Sequence, residues 1–109
     1  MKPIQPPRYK GDSRSIIVNI AEGVDPTDYT WTLTAQTNTV VTDGGVLFTI
    51  NGTTSAGSQL VTFAMSTANA NTMTAGGNVI YEISAISGGQ VVSRQQTTQM
   101  ILASEVTVI

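Results

Sequence analysis

The sequence contains no cysteine and no histidine among its 109 residues. Without cysteine, a disulfide framework and thiolate metal sites are impossible. Without histidine, the chain also lacks the side chain most often used for acid–base catalysis and for binding transition metals near neutral pH. A Ser-His-Asp site, a Cys-His site and a histidine-ligated zinc or iron site are therefore excluded. These absences predict a protein that is not an enzyme and that carries no metal and no cofactor.

Charged residues are also scarce. They make up 11% of the chain, against roughly 25% in an average soluble domain. The formal net charge is −2, which argues against a nucleic-acid-binding protein because such proteins carry a basic face. No apolar run approaches the ~20 residues that span a bilayer, so no contact with a membrane is predicted. The N-terminal stretch MKPIQPPRYKGD has no apolar segment after its lysine, which argues against a signal peptide.

Proline and basic residues are concentrated at the start of the chain. Three of the four prolines and four of the five Lys and Arg residues lie in residues 1–14. Because proline fixes φ and lacks a backbone donor, we expect residues 1–10 to form an extended arm that is neither strand nor helix. The arm is either a frayed terminus or a segment that becomes ordered against a neighbouring subunit. In the second case the partner-binding residues are Lys2, Pro3, Ile4, Pro6, Pro7, Arg8 and Tyr9.

The rest of the chain, residues 11–109, shows apolar residues at every second position in short runs such as YTWTLTA, GVLFTI and NVIYEISAI. Threonine, valine and isoleucine dominate these runs, and they favour strands. Turn sequences such as Asp25-Pro26, Asn51-Gly52 and Gly88-Gly89 separate them. The pattern predicts an all-β, antiparallel β-sandwich of about seven strands. The residues expected between the sheets are Ile16, Val18, Trp31, Leu33, Phe48, Phe63, Tyr81 and Ile83.

The segment STANANTMTAGG interrupts the strand pattern with small and polar residues. Ser66 or Thr67 is expected to cap a short helical turn that ends at Gly76.

Several short motifs could be mistaken for functional sites. Gly88-Gly89-Gln90 matches the catalytic tripeptide of translation termination factors, but it lies between two strand-like runs and is predicted to be a hairpin turn. Gly11-Asp12-Ser13 matches a motif of serine hydrolases, but its serine has no histidine as partner base.

Three further features have structural explanations. Asp25, Asp28 and Asp43 do not match a calcium-binding loop and are interpreted as turn and cap residues. Asn51-Gly52-Thr53 is formally a glycosylation acceptor but is predicted to be a turn. Trp31 is predicted to be a core residue rather than an exposed sugar platform.

The order of these features resembles the Ig-like domains of tailed-phage virion proteins, notably the N-terminal domain of phage baseplate upper proteins and small stand-alone relatives. The resemblance covers about residues 9 to 108. It begins with YKGDSRSIIVNI, continues through VDPTDYTWTLTAQ and is best from VTFAMSTANANTM to the final ASEVT. Asp25-Pro26-Thr27-Asp28 stands where the family usually has Asp-Leu-Thr-Gly.

The resemblance implies a non-enzymatic structural protein of the virion, assembled in the host cytoplasm. It would be a capsid decoration (cement) subunit or a tail, neck or baseplate accessory. Its partners would be other virion proteins, with copies of the chain associating in the particle. The alternative is an adhesion module that binds host-surface glycans, which would require an exposed aromatic or acidic sugar site.

Overall fold

The computed structural model describes residues 5–37, 46–73 and 77–102, with side chains from residue 7 onward. The strands in these ranges are β1 (Gln5–Tyr9), β2 (Ile16–Asn19), β3 (Thr30–Gln36), β4 (Val46–Asn51), β5 (Thr53–Thr54), β6 (Leu60–Phe63), β7 (Asn78–Ser87) and β8 (Gln90–Leu102). One 3-10 turn (Pro26–Asp28) and one short helix, α1 (Thr67–Asn71), accompany them. The predicted β-sandwich is confirmed.

The strands form two sheets. The larger sheet has five strands in the order β1-β8-β7-β3-β4, and the smaller has three in the order β2-β6-β5. Each neighbouring pair is antiparallel except β1 and β8, which run parallel. The strands of the predicted antiparallel sandwich, within residues 11–109, are thus antiparallel, and the parallel pair is added by the N-terminal segment.

The core lies between the two sheets and follows the period-two pattern of the sequence. Six of the eight predicted core residues are buried. They are Ile16, Trp31, Leu33, Phe48, Phe63 and Tyr81. Val18 and Ile83 are only partly buried and pack at the margin of the core. Val18 lies on an edge strand of the smaller sheet, which leaves one side of the strand uncovered.

The two sheets differ in length. β8 has 13 residues, while β2 and β6 have four each. At about 3.3 Å per residue, the larger sheet extends tens of ångströms beyond what the smaller one can cover. The β7–β8 hairpin therefore projects past the core, and the described chain has a long axis of 51 Å.

The N-terminal segment corrects the sequence-based prediction of a free arm. Residues Gln5–Tyr9 form an edge strand of the larger sheet, with Arg8 opposite Ile101 and Tyr9 opposite Leu102. Proline is tolerated at an edge strand because its missing N–H can face away from the ladder. The register shifts between Gln5 and Arg8, around Pro6 and Pro7. The boundary predicted at residue 10 thus falls after the first strand of the sandwich.

Of the two turns predicted at glycine residues, the structure contains one and not the other. Gly88 and Gly89 have φ of +59° and +80°, as a two-residue type I′ hairpin requires. The predicted hairpin is confirmed, with Ser87 opposite Gln90. Asn51-Gly52 does not form a tight turn, because Gly52 is the single residue between β4 of the larger sheet and β5 of the smaller. The chain crosses from one sheet to the other at this glycine.

The predicted helical turn is present as α1. The Ser66 side chain accepts a hydrogen bond from Asn69 N at 3.0 Å, so Ser66 rather than Thr67 is the N-cap. The helix ends at Asn71, with Thr72 as C-cap. Gly76, at which we expected the turn to end, lies outside the described residues.

Candidate interaction site

The side chain of Arg8 is built into the sandwich. Arg8 is 6% exposed, and its Nε donates to Gln99 Oε1 on β8 at 3.0 Å. Its Nη1 donates to the carbonyl oxygens of Asp12 and Arg14 at 2.8 and 2.9 Å. One guanidinium thus joins β1, β8 and the loop that leads into β2. Arg8 therefore belongs to the fold of the sandwich, and its predicted role in binding a partner stays a prediction.

Gln99 also accepts a hydrogen bond from the Tyr81 hydroxyl. Tyr81 is fully buried, and burial raises the pKa of its hydroxyl while the nearby Arg8 charge acts in the opposite direction. Arg8, Gln99 and Tyr81 form one buried polar network. Such a network stabilises the fold because its buried polar atoms have partners.

The loop after β1 is held by Asp12. Its carboxylate accepts hydrogen bonds from the backbone N and the guanidinium of Arg14, and it lies 3.5 Å from Arg8 Nη1. The Arg14 hydrogen bonds, followed by the charge of Arg8, lower the pKa of Asp12 from 3.8 to about 2. Asp12 is therefore engaged in organising the loop.

A pocket of about 240 Å³ opens beside this network. It lies where β1, an edge strand of the larger sheet, faces β2, an edge strand of the smaller one. We call it the seam pocket. Its lining residues are Pro7, Arg8, Arg14, Ser15, Ile16, Ile17 and Gln99. It combines two guanidinium groups with an apolar wall.

The other predicted arm residues are either exposed or outside the part of the chain whose side chains are described. Pro7 is exposed and Tyr9 is 39% exposed, so both side chains are accessible from solvent. Pro6 lies in β1, but its side chain is outside the described part of the chain, as are Lys2, Pro3 and Ile4. The docking role predicted for these residues stays a prediction. Lys10, next in the chain, donates from Nζ to the carbonyl oxygens of Asn71 and Met73 at the end of α1.

The tip of the β7–β8 hairpin is a second candidate surface. Residues 87–95 are all exposed, including Val91 at 47% and Val92 at 56%. Within the described ranges, β1 pairs with β8 only from Gln99 onward. The backbone edge of β8 from Gln90 to Thr98 therefore has β7 on one side and no strand on the other in this part of the chain.

The remaining sequence motifs have structural roles. Asp25 is the N-cap of the 3-10 turn, where it accepts hydrogen bonds from Thr27 N and Oγ1 at 3.0 and 2.7 Å. Trp31 is buried as predicted, and its indole Nε1 donates to Pro26 O at 2.8 Å. Asp43 lies outside the described residues. Among the described residues, no three acidic side chains come together as a metal site would require.

Two residues of the polar network were not predicted from the sequence. The sequence pattern could have indicated that Gln99 is buried, because it lies two residues before Ile101 and two after Thr97 on the same face of β8. All three residues are buried in the structure. No sequence pattern indicated that Arg8 is buried, because its burial depends on the parallel pairing of β1 with a strand more than 90 residues later.

Comparisons with known proteins bear on the fold alone. No family model matches the chain, and neither does any curated protein. Among solved structures, the chain is similar to the crystal structure of CopC from Methylosinus trichosporium OB3b. The two share 13% identity with a TM-score of 0.56, over 94% of this chain and 89% of that chain. Among the described residues, no helix is long and apolar enough to cross a membrane.

Proposed function

We propose that this protein is a non-enzymatic structural subunit of a tailed-phage virion that docks on neighbouring virion proteins. It would serve as a capsid decoration protein or as a tail, neck or baseplate accessory. The virion assignment is supported by the resemblance of residues 9 to 108 to the Ig-like domains of such proteins. Docking is supported by the exposed tip of the β7–β8 hairpin, which is the observation that carries the proposal.

The hairpin tip has the features of a protein-binding edge. Val91 and Val92 are adjacent, so they project to opposite faces of the strand, and both are about half exposed. The backbone edge of β8 beside them offers N–H and C=O groups that a partner strand can pair with. Isolated soluble domains usually block such an edge with lysine, proline or a covering element.

The composition supports the same function. Charged residues amount to 11% of the chain, so the surface is polar mainly through Ser, Thr, Asn and Gln. Protein–protein interfaces are depleted of charged residues at their centres, because removing a charge from water costs free energy. A surface of neutral polar groups is therefore suited to contacts with several neighbours in an assembled particle.

The test is made on particles from a host that carries the gene. Virions are purified by density gradient, and the chain is quantified by mass spectrometry against a known capsid protein. The proposal expects a fixed copy number per particle. Absence of the chain from purified particles would contradict the virion assignment.

The docking surface is tested by replacing Val92 with lysine and supplying the variant to particles that lack the protein. A lysine at this edge must lose its hydration when a partner strand pairs, so we expect the copy number to fall at least about tenfold. The matched control is Leu60→Lys, because Leu60 is 45% exposed but lies on the smaller sheet. Equal incorporation of both variants would exclude the hairpin as the docking surface.

A further inference from the structure

The seam pocket differs from the hairpin tip because two guanidinium groups line it and share the carboxylate of Asp12, which leaves a net charge of +1 in this group. Arg8 and Arg14 both line it, together with Ser15 and the apolar side chains of Pro7, Ile16 and Ile17. The chain as a whole has a net charge of −2 and only five basic residues. Two of those five thus lie at one small opening between the edge strands of the two sheets.

The charge of Arg8 is held mainly by neutral groups. Its guanidinium donates to one amide oxygen and two carbonyl oxygens. The carboxylate of Asp12 lies 3.5 Å away and accepts its hydrogen bonds from Arg14. A buried guanidinium is stabilised by a close anion far more than by neutral acceptors. Because Arg8 shares the carboxylate of Asp12 with Arg14, the two arginines keep one net positive charge, which can attract a further anion from the pocket.

The size of the pocket limits what it can accept. Pockets that enclose a drug-sized ligand usually have volumes of roughly 300–1,000 Å³, and the seam pocket has about 240 Å³. It suits one side chain better than a whole cofactor. Its apolar wall suits methylene groups, while a guanidinium binds a carboxylate with matched planar geometry. A glutamate or aspartate side chain on an extended partner segment has both methylene groups and a carboxylate.

The edge strands beside the pocket favour the same kind of partner. β1 has prolines at positions 6 and 7, which lack the N–H that strand pairing needs. β2 has no proline, and within the described residues no strand pairs with the edge that faces away from β6, so in this part of the chain that edge can accept an extended segment. Ile17, on β2, is 56% exposed beside the pocket.

We propose that the seam pocket binds a carboxylate side chain of a partner protein, with Arg8 and Arg14 as its ligands and the β2 edge holding the partner backbone. This inference rests on the proposed docking function and names the chemistry of a second contact. It is tested on the isolated protein in solution, so its failure is distinguishable from absence of the chain from virions.

The first experiment titrates the ¹⁵N-labelled protein with two capped hexapeptides of alanine and valine, one with a central glutamate and the other with glutamine. Binding of the glutamate peptide should shift the amide resonances of residues 8 and 14–17, and it should weaken with salt. The affinity for the glutamine peptide should be lower by at least about tenfold. Equal shifts from both peptides, or shifts only at the hairpin tip, would overturn the proposal.

Two pairs of variants localise the site. Arg14→Gln should weaken glutamate-peptide binding about tenfold, while Arg94→Gln should not. Arg94 is a fair control because, like Arg14, it is an exposed arginine paired with one carboxylate. Ser15→Glu should block the pocket with an internal carboxylate, whereas Ser15→Gln should leave binding close to that of the original protein. Full binding by the Ser15→Glu variant would overturn the proposal.

Inorganic phosphate is the remaining probe. It offers negative charge without the methylene groups and the extended backbone of a peptide. We expect it to shift the same amides only at concentrations far above those needed for the glutamate peptide. If phosphate binds as tightly as the peptide, the pocket is a general anion site and the assignment to a partner carboxylate is wrong.

Discussion

Gly52 packs directly against Trp31. A Cβ atom on Gly52 would lie 2.9 Å from Trp31 Cβ, 2.7 Å from Val61 Cγ1 and 2.9 Å from Phe63 Cε1. The Gly52 N–H also donates to Trp31 O at 2.8 Å. The strand can cross from one sheet to the other here only because residue 52 has no side chain.

Replacing Gly52 with alanine should therefore destabilise the protein by about 1–3 kcal/mol, through overpacking in the core. The measurement is the free energy of unfolding from denaturant titration. Gly77→Ala is the matched control, because nothing lies within 4 Å of its added Cβ and its φ is not positive. Equal stability of the two variants would show that the backbone at residue 52 can move away from Trp31.

The N-terminal strand should be required for stability. Deleting residues 1–9 removes β1 and the Arg8 hydrogen bonds to Gln99 and to the loop, so we expect a large fall in melting temperature. Arg8→Met alone should cost about 2–4 kcal/mol, since it leaves buried acceptors without a donor. Arg94→Met, which removes an exposed ion pair, should cost less than about 1 kcal/mol. A truncated protein as stable as the full chain would restore the free-arm hypothesis.

Asp12 should contribute to the pH dependence of stability. Its pKa is lowered from 3.8 to about 2 by the Arg14 hydrogen bonds, so the folded state favours the ionised carboxylate. This contribution is present above pH 3.8 and is lost as the pH falls toward 2. The free energies of unfolding of the original protein and the Asp12→Asn variant should therefore differ most near neutral pH and converge at low pH. A difference that is independent of pH would contradict this account.

The Gly88-Gly89 turn should matter for folding, while Gln90 should not. Replacing both glycines with valine forces β-branched residues into positive φ, so the yield of folded protein and its melting temperature should fall. Gln90→Ala should have a melting temperature within a few degrees of the original, because Gln90 is exposed at the start of β8. Loss of a measurable hydrolytic activity in a folded Gln90→Ala variant would contradict the assignment as a turn.

The sequence by itself determined most of the strands, most of the core and the hairpin. These features depend on local patterns: alternation along YTWTLTA buries Trp31, Leu33 and Ala35, and Gly88-Gly89 supplies two positive φ angles. The Ser66 cap is local as well, because a serine side chain reaches the backbone N–H only three residues away. Periodicity and turn chemistry are therefore enough to predict such elements.

Only the tertiary structure decided the conformation of residues Gln5–Tyr9 and of Gly52. Prolines at positions 6 and 7 predict an extended backbone, but they do not indicate whether another strand pairs with that backbone. That depends on residues 99–102, which pair with β1 from the far end of the chain. In the same way, Asn51-Gly52 has the composition of a turn, and only the packing of Trp31, Val61 and Phe63 around Gly52 makes it a crossing between sheets. Contacts between residues distant in sequence leave no local pattern, and one such contact, of Arg8 with Gln99, forms part of the seam pocket.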